Sequence, residues 1–202
     1  MKIGVLALQG AFQEHLDTLR AIGVDGVRVR EPADLEGIAG LIIPGGESTT
    51  MRLGIERWGL REPLLDLARS GAPLFGTCAG LIVMAREIAG GEAPILPLLD
   101  VTVERNAFGR QLESFETDLS VPVLGDLPVH GVFIRAPRVD AVGPAVEVLA
   151  SHGGDAVLVR QGRIMAAAFH PELTGDTRLH ERFVELVSGD RSIDETDYDT
   201  ER

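Results

Sequence analysis

Ala72-Pro73-Leu74-Phe75-Gly76-Thr77-Cys78-Ala79-Gly80-Leu81-Ile82-Val83-Met84-Ala85-Arg86-Glu87 is the stretch on which the fold of this chain turns. An apolar, strand-like run (72–75) enters a Gly-x-Cys-x-Gly turn, and a helix-like run (81–87) leaves it. Strand, tight turn and helix with a nucleophile at the apex form the nucleophile elbow, here with cysteine in place of serine. Flanking glycines allow the sharp turn and let neighbouring backbone approach without a Cβ clash. The turn lifts the sulfur above the sheet edge and sets it at a helix N-terminus, where unpaired N–H groups favour negative charge. Cys78 is the only cysteine, which excludes an internal disulfide and any multi-cysteine metal site. A lone cysteine elsewhere reads as a small buried hydrophobe; the elbow makes this one a candidate nucleophile.

On both sides of the elbow, strand and helix signals alternate. Lys2 to Leu8 and Gly40 to Ile43 are short apolar runs of strand length, and Gly26 to Arg30 is a third strand. Phe12, Leu16, Leu19 and Ile22 form a helical stripe, and Ser48 to Arg57 and Glu62 to Arg69 read as helices. This rhythm implies an α/β fold with an open, mostly parallel, flavodoxin-like sheet flanked by helices. From Pro94 to Met165 the pattern becomes β-rich, with strands expected at Leu98 to Glu104, His130 to Ile134, Val146 to Ser151 and Ala156 to Arg160. A last strand, Ile164 to Phe169, runs into His170-Pro171-Glu172, and a helix from about Asp176 to Ser188 closes the domain. Residues 1–188 are expected to form one domain. Residues 189–202 carry six acids against two arginines and are expected to be a disordered, solvating tail.

The formal net charge of −12 disfavours nucleic acid or an anionic membrane as the main partner. No apolar stretch is long enough to span a bilayer, and no secretory signal is visible. With one cysteine, the chain suits a reducing, cytoplasmic setting.

A cysteine nucleophile needs a base, and the base needs an orienting group. Of five histidines, His15 and His180 fall on helices and are expected to be solvated, His152 sits in a Gly-rich turn and His130 starts a strand. His170 alone follows a strand end with a carboxylate, Glu172, two residues on. In extended chain that spacing puts both side chains on one side, and Pro171 keeps His170 out of helix. Acyl transfer also needs N–H donors for the oxyanion. Ala79, following the nucleophile, and the Gly45-Gly46 pair after the third strand are the candidates. Sites in open α/β sheets gather at the carboxyl ends of strands, so these elements are expected to converge.

With these residues assembled, the chain resembles the class I (triad) glutamine amidotransferases, and more narrowly the family of glutaminase subunits of pyridoxal 5′-phosphate synthases. The elbow and Phe169-His170-Pro171-Glu172-Leu173 mark the broad class. Pro44-Gly45-Gly46-Glu47-Ser48-Thr49-Thr50-Met51, Val103-Glu104-Arg105-Asn106-Ala107-Phe108-Gly109-Arg110-Gln111 and Gly131-Val132-Phe133-Ile134-Arg135-Ala136-Pro137 mark the vitamin B6 branch, as does Gly4-Val5-Leu6-Ala7-Leu8-Gln9-Gly10. Ile82 stands where many triad amidotransferases carry glutamine, a departure shared by this branch.

The resemblance implies Cys78 as nucleophile, His170 as acid/base and Glu172 as its orienter. It implies a glutamine site at Gly46, Glu47, Ser48, Arg105, Ile134 and Arg135. A cation, Arg105 or Arg135, suits the substrate's α-carboxylate, and Glu47 or a backbone carbonyl suits its α-ammonium. The implied activity is hydrolysis of L-glutamine through a cysteine thioester, with ammonia passed to a synthase subunit that builds pyridoxal 5′-phosphate from a pentose phosphate and a triose phosphate. No metal or organic cofactor is needed for that step. Docking on the synthase is expected to activate the glutaminase, with Gln9-Gly10 as the docking candidate and the Gly45-Gly46 peptide as the element that reorients. The alternatives are a glutaminase serving another pathway, a non-catalytic binding protein on the same fold, and a cysteine peptidase.

Overall fold

The computed structural model describes residues 1–105 and 114–189. Its first half runs β1 (Lys2–Leu6), α1 (Phe12–Ala21), β2 (Asp25–Val29), β3 (Gly40–Ile43), α2 (Ser48–Arg57), α3 (Arg61–Arg69), β4 (Leu74–Thr77) and α4 (Ala79–Met84). The second half holds β5 (Ala85–Ile88), β6 (Leu99–Glu104), β7 (Phe115–Leu119), β8 (Val129–Phe133), β9 (Arg138–Val142), β10 (Glu147–His152), β11 (Asp155–Gln161), β12 (Ile164–Ala167) and α5 (Arg178–Ser188).

Ten strands share one sheet in the order β2-β1-β3-β4-β12-β11-β9-β6-β5, with β10 added against β11. From β2 to β12 every pairing is parallel. From β12 through β11 and β9 to β6 the pairings are antiparallel. The α/β architecture is therefore a mixed sheet whose β-rich additions extend the parallel half directly. β7 and β8 pair antiparallel as a separate two-stranded sheet.

β3 and β4 are buried along their whole length, as parallel strands covered on both faces must be. Phe75 packs against Phe183 of α5, ring centroids 5.7 Å apart. Each such fully buried aromatic or aliphatic side chain contributes about 1.5–3 kcal/mol relative to exposure.

Three local expectations change. The helix after the elbow is six residues long and ends at Met84, and Ala85–Ile88 pairs with β6 instead. Leu96 and Leu98 donate to the carbonyls of Val83 and Met84. All six α4 residues are buried, so the run carries no amphipathic stripe by which its end could be read. β7 and β9 were not anticipated, because each is short and rich in charged residues on its outer side.

The third change concerns His15 and His180. Both were expected in solvent and both are 0% exposed. α1 and α5 pack so that His15 Nδ1 and His180 Nε2 lie 2.8 Å apart, each satisfying a polar atom of the other. The apolar stripe of α1 runs through position 15, three residues after Phe12 and four before Leu19. His15 therefore occupies a core-facing slot.

Gly189, with φ 72°, ends α5 in the left-handed conformation. The acidic run from residue 190 and positions 106–111 of the Val103–Gln111 motif lie outside the described residues.

Candidate active site

β1, β3, β4 and β12 are neighbours and parallel, so the segments after their carboxyl ends open on one edge of the sheet. Those segments are Gln9-Gly10-Ala11, Gly45-Gly46, Cys78 and His170. A cavity of about 340 Å³ lies there, and its wall includes Gly45, Gly46, Glu47, Ser48, Cys78, Arg105, Ile134, Arg135 and His170. Every substrate-binding residue expected from the sequence thus faces one space. Ile82 and Leu173 add apolar lining.

The elbow owes its sharpness to the cysteine itself. Cys78 has φ 48° and ψ −102°, a conformation that costs a residue with a Cβ about 1–3 kcal/mol and persists only when the surroundings hold it. Its N–H donates to Ala167 O at 2.8 Å, locking the turn to the end of β12. The flanking glycines act by close packing. A Cβ on Gly80 would strike the carbonyl of Ile43, and one on Gly76 would meet Met84 and the Gly80 backbone. Cys78 is 6% exposed, and its sulfur lies 3.8 Å from Ile134 O.

His170 follows β12 and is pinned by its N–H to Val132 O at 2.8 Å, which draws β8 over the site. Its Nδ1 lies 2.7 Å from Glu172 Oε1. The pair meets through a 3₁₀ turn at Pro171–Leu173 rather than through extended chain, with Pro171 at the first helical position. Burial by itself pulls the imidazole pKa down. The adjacent Cys78 sulfur and the Glu172 carboxylate outweigh it and raise the pKa to about 10. One ring nitrogen is engaged by Glu172, which leaves the other for the sulfur side.

The glycine pair is held by the first loop. Ala11 N–H donates to Gly45 O at 3.0 Å, and Glu47 N–H donates to the Gln9 side-chain oxygen at 2.6 Å. Ala79 opens α4, where backbone N–H groups lack intrahelical acceptors. It is 1% exposed and does not form part of the cavity wall, so any contribution to an oxyanion site comes from its backbone.

The two arginines differ. Arg105 is bridged between Glu47 (3.2 Å), Thr49 Oγ1 (3.0 Å) and Glu92 (2.8 Å). Arg135 is exposed, has a left-handed φ of 46° and makes no ion pair with a described residue. Glu47 also caps α2 by accepting from Thr49 N–H at 3.1 Å.

Sequence reasoning missed the layer beneath Glu172. His15 Nε2 lies 3.1 Å from Thr77 Oγ1 and 3.5 Å from Glu172 Oε2. The signal was His15's place in the α1 stripe. No group of acids, histidines and cysteine among the described residues is arranged to hold a metal ion.

A protein of Pelotomaculum thermopropionicum named pyridoxal 5′-phosphate synthase subunit PdxT is 59% identical over 185 residues, covering 92% of this chain and 94% of that one. A protein of Moorella thermoacetica with the same name is 54% identical, covering 93% of this chain and 100% of the other. A crystal structure described as a glutamine amidotransferase superposes with a TM-score of 0.87 at 51% identity, covering 92% of this chain and 98% of that chain. The sequence matches the SNO glutamine amidotransferase family over residues 5–189, and the chain belongs to that family.

Proposed function

We propose that this chain is the glutaminase subunit of a pyridoxal 5′-phosphate synthase, hydrolysing L-glutamine to L-glutamate and ammonia and supplying the ammonia to the synthase subunit. Relatives bearing that name cover nearly the whole chain. The observation that carries the chemistry is Cys78 and His170 on the wall of one cavity, with Glu172 buried behind the imidazole and bonded to it.

In this reading the Cys78 thiolate attacks the side-chain amide carbon of glutamine. His170, protonated because the thiolate and Glu172 hold its charge, gives its proton to the amide nitrogen as the C–N bond breaks. Ammonia leaves and a γ-glutamyl thioester remains. Acylation removes the negative sulfur, one of the groups that kept His170 protonated, so the ring becomes a base able to take a proton from water. Attack of that water releases glutamate and restores the thiolate–imidazolium pair. Backbone N–H groups of Gly46 and Ala79 are the proposed oxyanion donors. Arg135 takes the substrate α-carboxylate, and the Arg105–Glu47 pair frames the α-amino end. The cavity suits a single amino acid, which favours a glutaminase over a peptidase.

Because Gly45 O is bonded to Ala11 N–H, reorienting the Gly45-Gly46 peptide requires a movement of the 9–11 loop. Docking of the synthase on that loop is the proposed trigger. Residues 1–188 act as the catalytic unit, with the acidic residues 189–202 outside it. A thiol nucleophile needs a reducing environment, and the cytoplasm is the proposed location. Among the described residues no helix is long and apolar enough to cross a membrane.

The test is reconstitution. A purified synthase subunit makes pyridoxal 5′-phosphate from ammonia, and adding this chain makes the synthesis run on glutamine. Synthesis that stays glutamine-independent overturns the assignment. Glutamate release at equal rates with and without the synthase refutes the gating alone.

A further inference from the structure

Glu172 has two oxygens, and the triad uses one. Oε1 faces His170 at 2.7 Å, while Oε2 is buried and has no hydrogen bond of ordinary length to a described residue. The group at its side is His15, whose Nε2 stands 3.5 Å away, also 3.1 Å from Thr77 Oγ1. Behind His15, His180 Nε2 lies 2.8 Å from His15 Nδ1, and His180 Nδ1 is buried without a partner among the described residues.

Only one proton can sit between the two histidines, so two arrangements are possible. If His15 carries its proton on Nδ1, its Nε2 lone pair points at the Glu172 carboxylate, and His180 buries an N–H on Nδ1 with no acceptor. If His180 donates from Nε2, His15 Nδ1 accepts, and His15 is left with its proton on Nε2, shared between Thr77 Oγ1 and Glu172 Oε2. The first arrangement sets lone pair against carboxylate and orphans a donor in the interior, where each fault is costly. The second removes both faults and leaves only a buried ring lone pair. A doubly protonated His15 is disfavoured by burial, by His180 and by His170, which lower its pKa well below 6.5.

We infer that His15 is a positioning residue for the triad. As a neutral ring held in the Nε2–H form by His180, it fixes the rotation of the Glu172 carboxylate so that Oε1 stays on His170. Thr77, the neighbour of Cys78, shares the same N–H, so the elbow and the orienting carboxylate are tied to one imidazole. α1 and α5 thereby support a site to which neither contributes a reacting atom. The groups facing His15 are His180 from α5, Thr77 from β4, and Glu172 and His170 from the segment after β12. This inference rests on the triad reading proposed above.

Two measurements test it. Long-range ¹H–¹⁵N correlation on the unaltered protein reads the ring tautomers directly, independently of catalysis. His15 and His180 are both expected as neutral Nε2–H rings at pH 7. A His15 protonated on Nδ1, or on both nitrogens, overturns the inference. The second is glutaminase kinetics in the complex with the synthase subunit. His15→Leu is expected to lower kcat by about 10-fold or more, the scale seen when an outer-shell orienting partner is lost, with KM changed less than about twofold. His15→Gln returns an N–H near the Nε2 position and is expected to recover most of kcat. An unchanged kcat in His15→Leu, or equal losses in both variants, overturns it. Should His15→Leu not fold, the tautomers and His15→Gln against the unaltered chain decide. Failure of the underlying reading has its own signature, turnover that survives Cys78→Ala.

Discussion

The α-carbon of Gly45 lies against the imidazole of His170: a Cβ built on this glycine would fall on the ring itself. β3 and β12 are separated in the sheet by β4, yet the loop after one sets the space left for the ring at the end of the other. Gly45→Ala is therefore expected to displace His170. A shift of about 1 Å in a reacting group costs about 10²-fold in rate, so kcat should fall by about that factor while the far-ultraviolet spectrum and melting transition change little. Normal turnover in Gly45→Ala would show that the ring does not need this position.

The raised pKa of His170 has a titration consequence. Its folded value of about 10 lies above the ordinary value of 6.5. The associated stability is fully present below pH 6.5 and is lost as pH rises toward 10. Cys78→Ala removes the sulfur that helps hold the proton, so the ring should titrate well below 10 in that variant, followed by imidazole NMR. Glutamate release should be abolished in the same sample.

His15 and His180 act with the opposite sign. Burial holds His180 near pKa 4, and burial together with the neighbouring histidines holds His15 well below 6.5. Unfolded chains bind protons on both residues below about 6.5, so stability is expected to fall as pH drops from 6.5 toward 4. Urea midpoints at pH 7.0, 5.5 and 4.5 read this directly. The double variant His15→Leu/His180→Leu should show a flatter dependence over that window, whatever its absolute stability.

Arg135 and Arg105 should separate kinetically. Arg135 lines the cavity with no ion pair to a described residue, and a hydrogen bond to a charged group contributes about 1.5–3 kcal/mol. Arg135→Ala should raise KM for glutamine by about 10-fold, one decade per 1.4 kcal/mol, with a smaller change in kcat. Arg105→Ala should instead release Glu47, leave Glu92 to Arg52 alone and disturb the start of α2, changing kcat and KM together. The same KM effect from both variants would mean that the arginines share the carboxylate.

Much of this was legible in the sequence because each catalytic candidate sits beside local punctuation. The glycines around Cys78, the glycine pair after β3 and the proline after His170 mark strand ends, and strand ends on one sheet edge converge. β5 and β9 were not legible, since each is defined by its pairing with β6, outside its own stretch of sequence, rather than by a local period. The burial of His15 and His180 was misread for a related reason. A histidine on a helix scores as polar, and only the approach of α5 to α1 reveals that each ring supplies the other's partner. The unusual backbone of Cys78 and Arg135 leaves no mark in the sequence, because both hold positive φ without being glycine.

The register of β4 against β12, with Thr77 beside Ala167, has a consequence for the birth of the protein. The strand that leads to the base follows every other described strand in the chain, while its neighbour that leads to the thiol lies about 90 residues earlier and leaves the ribosome first. Until β12 docks, the sulfur lacks its imidazole and the Cys78 N–H lacks the anchoring carbonyl of Ala167. A nascent or truncated chain therefore carries an unarmed thiol, and competence to release ammonia arrives together with completion of the sheet.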